Sequence, residues 1–371
     1  AWINVHATTP PPPFLKELTL EMLKTPYLHY VDKDYQKIIN QDDILYKDTF
    51  LRLQHRTDGR EACICFEPIA MAKKYYTDLK PTIDIKLNTE VIDVKLEDNK
   101  ITSVITNKNE VISSKLFIDC TANNKLISLS GIELLSGEES KTFFQSEYGF
   151  TENNAPISDN YDACNYPTLM YRVTGGTEDL SDITAKWTND ALAYLNKEEN
   201  KIYLNTVSYL GGNGQLARDR EDYLYDILKA RTLEHWKTIK YGESPRFATL
   251  DLPSKKYDKI ATKLGIRETY RIRAERMLNE NDLYVKISSE NIKDGDNLDK
   301  KIACGNHIVD FHGTTNVNAH AINTNLKPYG VPYGCLIPKG LSNVFVASRG
   351  SGLTHIGAST FRLNKDIMQL G

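Results

Sequence analysis

Long apolar runs are missing from this chain. No stretch approaches the roughly 20 residues that span a bilayer, and residues 1 to 20 lack a basic start followed by an apolar run. An excess of one charge is missing too. The 46 basic and 49 acidic residues are well mixed and leave a net charge of -3. A polyanion needs a basic patch, so nucleic acid is not expected as the main partner. Cysteine is scarce: six among 371 residues do not make a disulfide framework, and they are compatible with a reducing compartment such as the cytoplasm. Cys63 and Cys65 alternate with Ile64 and Phe66, as residues on one face of a buried strand would. Half of a metal site would need a C-x-x-C pair or a nearby pair of histidines as well, so no metal is expected.

What is present is enough chain for two or three domains. It opens on AWINVH, already reading as a strand and without Met, and closes on DIMQLG while an apolar periodicity still runs. Both ends read as cut, and a fragment of a longer protein is the expectation. PPPP at 10 to 13 precedes a short amphipathic helix carrying Phe14, Leu18 and Met22. EACICFEPIAMAKKYYTDL predicts a strand and then a helix. From 82 to 121, apolar and polar residues alternate between turn signals at Asp98-Asn99 and Asn107 to Asn109. That is a β-meander ending in a buried strand, Leu116 to Ile118. Residues 136 to 165 read as irregular, 201 to 210 as a strand, and Asp219 to Lys240 as a long charged helix. Arg267 to Leu278 reads as another helix, and 303 to 312 and 331 to 337 as strands.

Three stretches carry candidate chemistry. GNGQLA (212 to 217) matches G-x-G-x-x-A, but Asp219, Glu221 and Asp222 would set negative charge near any phosphates, and no strand ending in an acid follows about 20 residues on. It reads as a loop and helix start. HIVDFH (307 to 312) sets Asp310 and His312 on one face of a strand. With His320 they would make a two-His, one-carboxylate metal site; alternatively His312 serves as a general base, with His307 and His320 structural. In GIRETYRIRAERML, Arg267 and Arg271 fall one helical turn apart, fit to clamp an anion or to line a solvated face. Finally, NVFVASRGSGLTHIGAST (343 to 360) runs a buried strand into a loop of small residues and then a helix, marked by Ile356, Leu363, Ile367 and Leu370. Backbone N–H groups at such a helix start can face an electron-rich ligand.

Taken in order, several of these stretches resemble the FAD-dependent oxidoreductases of the glutathione-reductase-like fold, in the branch often labelled xanthan lyases. They are LFIDCT with Leu126 to Gly131, GEESK at 137 to 141, YLGGNGQLARDRED, GIRETYRI, IVDFH, and VPYGCLIPKGLSNVFVASRGSGLTHIGASTFRL. The resemblance implies an α/β fold. Its Rossmann-like, three-layer FAD domain would comprise 1–135 and 336–371 and include the meander, with an inserted α+β substrate or cap domain over 136–335. It implies a hydride transfer from a small-molecule substrate to flavin N5, with His355 and His312 as candidate bases and Arg267 and Arg271 as substrate-binding residues. Val91 would meet the adenine. Thr121, Ala122, Arg349 and Gly350 would lie along the ribityl and pyrophosphate, and Thr354, His355, Ile356 and Gly357 against the isoalloxazine.

Two departures stand out. The family's opening G-x-G-x-x-G unit, about 40 to 50 residues with its linker, precedes what AWINVH resembles, and without it the chain is expected to be inactive alone. Where the family has Cys-Thr-Gly-Asp-Gly, this chain has Cys120-Thr121-Ala122-Asn123-Asn124, and lost glycines crowd a backbone approach. The alternative expectation is a non-catalytic relative that binds a ligand or partner without flavin. The substrate, the electron acceptor and the oligomeric state are not readable from the residues.

Overall fold

A computed structural model describes residues 2–6, 54–55, 61–65, 76–77, 79–139, 164–196, 200–244, 247, 250–283, 299–305, 307, 309–312, 329–367 and 369–370. The proline run, the helix expected after it and His320 lie outside these residues. The chain is mixed α/β with several sheets, and it divides into two compact units.

One unit comprises Ala1–Ile85 and Tyr166–Ile266. Its five-stranded antiparallel sheet runs in the order Lys255–Ile260, Tyr171–Gly175, Lys201–Asn205, Leu192–Asn196, Gln54–His55. Alternation fixes the buried face: Tyr171 and Val173 on one strand and Ile202 and Leu204 on the next enter the same core. The helix Glu221–Tyr241 covers that core with Trp236 and Ile239 and sends Leu224 and Leu228 into a second cluster with Leu169 and Leu210. Glu221 and Asp222 in its first turn and Lys240 in its last suit the helix dipole. The GNGQLA stretch is indeed a helix start: Asn213 caps Gly214–Asp219, its side chain accepting from the Leu216 N–H at 2.7 Å. Trp2–His6 is a strand and pairs antiparallel with Glu61–Cys65, so Cys63 and Cys65 do lie on one.

The other unit comprises Lys86–Asn165 and Arg267–Gly371. The meander is there as Val91–Glu97, Lys100–Thr106 and Val111–Ser113. Its turns use Asp98, Asn99 and Asn109 at φ of 45°, 61° and 61°, a conformation these residue types tolerate. The strand that follows is Phe117–Asp119, and it pairs in parallel with Val344–Val346; only Phe117 and Asp119 are buried, while Leu116 and Ile118, expected in a buried strand, are exposed. Asn343 ties this pair to the meander, accepting from the Ile101 N–H at 3.0 Å and donating to the Ile101 carbonyl at 2.8 Å. Leu134–Leu135 pairs with Arg271–Ile272, and Lys301–Gly305 with Tyr329–Pro332.

Several expectations shift. Arg267 to Leu278 is not helical: it holds the short strand Arg271–Ile272 and isolated bridges from Ala274 to Pro338 and from Leu278 to Leu353. Ile272 and Ala274 are buried while Arg273 and Glu275 are exposed, a period of two that the arginine spacing hides. The strand expected over 303 to 312 ends at Gly305, and Asp310 and His312 lie in irregular chain. The strand expected over 331 to 337 is Tyr329–Pro332 with a 3₁₀ turn, Tyr333–Leu336. The C-terminal periodicity resolves into two short helices, His355–Thr360 and Asn364–Ile367. The boundaries expected at 135/136 and 335/336 both fall inside this second unit, because the pairings of 134–135 with 271–272 and of 117–119 with 344–346 hold those stretches together.

Candidate active site

The parallel strands Phe117–Asp119 and Val344–Val346 run in the same direction, so the loops after them emerge at one end. In open α/β sheets ligands bind outside the carboxyl ends of such strands. Asp119 organises the first loop: one carboxylate oxygen accepts from the Thr121 N–H (2.9 Å) and hydroxyl (2.6 Å), the other from the Leu126 N–H (2.8 Å). Asn124 sits in the left-handed region at φ 54°, where the family's glycine would be at ease. Its side chain turns inward and donates to the carbonyls of Tyr270 (2.9 Å) and Gly350 (3.0 Å). A Cβ at Gly350 would stand 2.3 Å from Asn124 Oδ1, so any side chain there would have to displace Asn124 from its hydrogen bonds. Asn124 thus ties the loop of exposed Thr121 and Ala122 to buried Gly350, next to half-buried Arg349. Val91 stands at the start of the meander, opposite Thr106 and packed on the core around Phe117.

A second constellation is built on the helix start at His355. Thr354 caps it, its hydroxyl accepting from the Gly357 N–H at 3.1 Å. The His355 N–H itself is given to Glu139, at 2.9 and 3.0 Å from the two carboxylate oxygens. The His355 ring stacks on Phe311 and bonds through Nδ1 to Glu268 Oε1 at 2.9 Å. That same oxygen accepts from Arg271 Nη1 at 3.1 Å, while Arg271 Nη2 reaches Glu139 at 2.9 Å and the Gly137 carbonyl. Glu268 Oε2 accepts from the backbone and side-chain N–H of Asn165, each at 2.9 Å. Burial alone would raise the Glu268 carboxyl, but His355 and Arg271 outweigh it and hold it down at about 2. Burial alone would lower His355, but Glu268 outweighs that and raises it.

These contacts revise two expected roles. His355 is 1% exposed and its Nδ1 is taken up by buried Glu268, whose charge raises it, a setting unlike that of a base open to a substrate. Arg271 is fully buried and its guanidinium is committed to Glu268, Glu139 and Gly137, so it does not face a substrate. Thr354, Ile356 and Gly357 are likewise buried within the protein.

The third constellation surrounds Asp310. Its Oδ2 accepts from His312 Nε2 at 2.8 Å and from Arg362 Nη2 at 2.7 Å. The His312 backbone N–H donates to Asn165 Oδ1 at 2.8 Å. Burial opposes ionisation of Asp310, yet the His312 hydrogen bond and the Arg362 guanidinium hold it well below the usual carboxylate range. Burial, with Arg267 and Arg362, pushes His312 down to about 4 despite Asp310. The ring is therefore neutral at neutral pH. Because a carboxylate only accepts, Nε2 carries the hydrogen and Nδ1 keeps its lone pair. Half-buried Arg267 is pushed down to about 9 by burial and by Arg362, with Asp310 opposing and Arg349 adding to the shift. Arg349 is lowered by burial and by Arg362. Three guanidiniums and one Asp–His pair thus share one electrostatic neighbourhood. Among the described residues no group of three His, Cys, Asp or Glu could hold a metal ion, and Asp310 is engaged by His312 and Arg362.

Sequence reasoning singled out His312, Arg267, Thr121, Ala122, Arg349 and Gly350. It missed Glu138, Glu139, Asn165 and Glu268 as members of the site. The only signals were the acids of GEESK and GIRETYRI, which look like ordinary surface charge until tertiary structure buries them.

Comparison with known proteins fixes the class. The FAD dependent oxidoreductase family matches residues 23–371, nearly the whole chain, and the chain belongs to that family. No curated protein matches. Among solved structures, BexE, studied for oxidation during BE-7585A biosynthesis, is 10% identical with a TM-score of 0.32, covering 61% of this chain and 38% of BexE. L-Proline dehydrogenase from P. horikoshii is 12% identical with a TM-score of 0.35, covering 93% of this chain and 75% of the enzyme. MibH, a lathipeptide tryptophan 5-halogenase, is 12% identical with a TM-score of 0.28, covering 61% and 37%. The chain therefore spans well under half the length of BexE and of MibH. No helix among the described residues is long and apolar enough to cross a membrane.

The residues present suit FAD. Among the described residues, Asn124 Oδ1, Arg271 Nε and His355 Nε2 are buried around these loops without a hydrogen-bond partner. Buried polar atoms are normally satisfied, and a flavin ring offers donors and acceptors along one edge. Asn124 also keeps the left-handed backbone of the glycine it replaces, with its side chain tied away from the exposed Thr121–Ala122 surface.

Proposed function

We propose that this chain forms the site of an FAD-dependent oxidoreductase acting on a small anionic molecule, with His312 as the general base. Thr121, Ala122, Arg349 and Gly350 would hold FAD at the carboxyl ends of the two parallel strands, within the Rossmann-like domain that the family implies. FAD, when bound, supplies the electron acceptor, its N5 taking a hydride from a substrate C–H. The observation that carries the reading is the Asp310–His312 pair at 2.8 Å. Asp310 fixes the ring and its tautomer, leaving a neutral Nδ1 that can accept the proton a substrate O–H or N–H gives up. Arg267, with Arg362 behind it, supplies the positive field that would draw in and orient an anionic group.

The test uses the full-length protein loaded with FAD and a panel of small carboxylates, with flavin bleaching as the readout. His312→Asn should keep the flavin spectrum and slow bleaching by roughly 100-fold or more. Unchanged bleaching would overturn the assignment. One observation favours the non-catalytic alternative: the Glu139 carboxylate holds the His355 N–H, where the family's flavin is expected. If the full-length protein takes up no FAD at all, that alternative stands.

A further inference from the structure

Glu138 and Glu139 are neighbours in sequence, yet the structure treats them differently. Glu139 is spent on the His355 N–H and on Arg271. Glu138 is 5% exposed, and among the described residues neither of its oxygens has a hydrogen-bond partner. The charged groups acting on it are its neighbour Glu139, His355 on the C-terminal helix, and Glu268 on the strand side, with Arg271 joined to both of those carboxylates. Two carboxylates, one guanidinium and one imidazolium cancel. A third carboxylate, buried and without a donor among the described residues, would leave an uncompensated buried charge, which protein interiors avoid by neutralising the group.

We propose that Glu138 is a proton-holding carboxyl, kept as the neutral acid beside the His355 imidazolium, so that the Glu138–His355 pair releases or recovers one proton whenever the charge at the site changes. The proton comes from solvent and returns to it; only an O–H bond forms or breaks, and nothing is oxidised or reduced. Glu138 is on this account a charge-balancing group that acts through His355, and the role does not depend on the flavin reading. The direction of its shift agrees with the geometry. Burial raises the carboxyl, His355 opposes, and Glu139 and Glu268 add to the rise, giving about 7. An anion placed near the pair would hold the proton in; a cation would expel it.

Infrared titration of the whole protein tests this. The wild type should show the C=O band of a buried protonated carboxylic acid, shifted by isotopic labelling of glutamate and fading as the pH rises through about 7. Glu138→Gln should lack the band. Should that variant not fold, Glu138→Asp keeps a carboxyl but should free the band from its sensitivity to the glutamate label. Absence of the band in the wild type, its persistence in Glu138→Gln, or a label-sensitive band in Glu138→Asp would each overturn the proposal.

Discussion

Replacing Glu268 by Gln probes the buried network at its centre. The carboxylate accepts from Arg271 and His355 through Oε1 and from two N–H groups of Asn165 through Oε2. An amide can keep one of these sides; on the other its NH₂ confronts donors. The charge that balances Arg271 and His355 is lost as well. A carboxyl that falls from 4.5 to about 2 on folding stabilises the folded chain by about 3 kcal/mol at neutral pH. Removing one partner of a buried ion pair costs roughly 3–5 kcal/mol, and the two figures agree. Urea unfolding of wild type and variant across pH measures the gap. Because the folded value is depressed, the contribution is present above pH 4.5 and is lost as the pH falls through about 2, so the gap should be widest near neutrality and close on acidification. His355 runs the other way. Its value is raised above 6.5, so its share is full below that pH and is lost as the pH rises through the folded value, in the wild type but not in the variant. A gap under about 1 kcal/mol at neutral pH, or one that does not shrink in acid, would refute the buried-pair account.

Asn124→Ala should cost about 2–4 kcal/mol, from the left-handed backbone and two lost hydrogen bonds, while Asn124→Gly should cost less; thermal unfolding that ranks them in reverse would contradict the cap geometry. Trp236→Ala removes a fully buried side chain from the sheet–helix core and leaves Glu178 without its indole donor. Urea unfolding should show a loss of roughly 3–5 kcal/mol.

Much of the fold is legible in the sequence wherever a local rule acts alone. The meander shows because period two and Asn/Asp turns speak together, and the helix Glu221–Tyr241 because its charges and apolar residues keep one rhythm. The stretch after Arg267 misleads because arginines four apart look helical, whereas the chain there forms the short strand Arg271–Ile272 and alternates buried and exposed residues from Ile272 to Glu275. The site is legible only in part. His312 and Arg267 stand out by type, and the loops at 121 and 349 through the order of motifs. Glu138, Glu139, Glu268 and Asn165 become a site only when the pairing of 134–135 with 271–272 buries them together, and nothing local announces that.

One edge of the five-stranded sheet does not invite company. There Lys255–Ile260 carries exposed Lys256, Asp258 and Lys259 and a bulge between Tyr257 and Lys259, and Glu178 takes the Tyr257 N–H at 2.8 Å. Charge and irregular register are devices that stop a foreign strand from adding to an open edge. An edge built this way is guarded against templating its own copies during synthesis and refolding, when chains are crowded and half-formed.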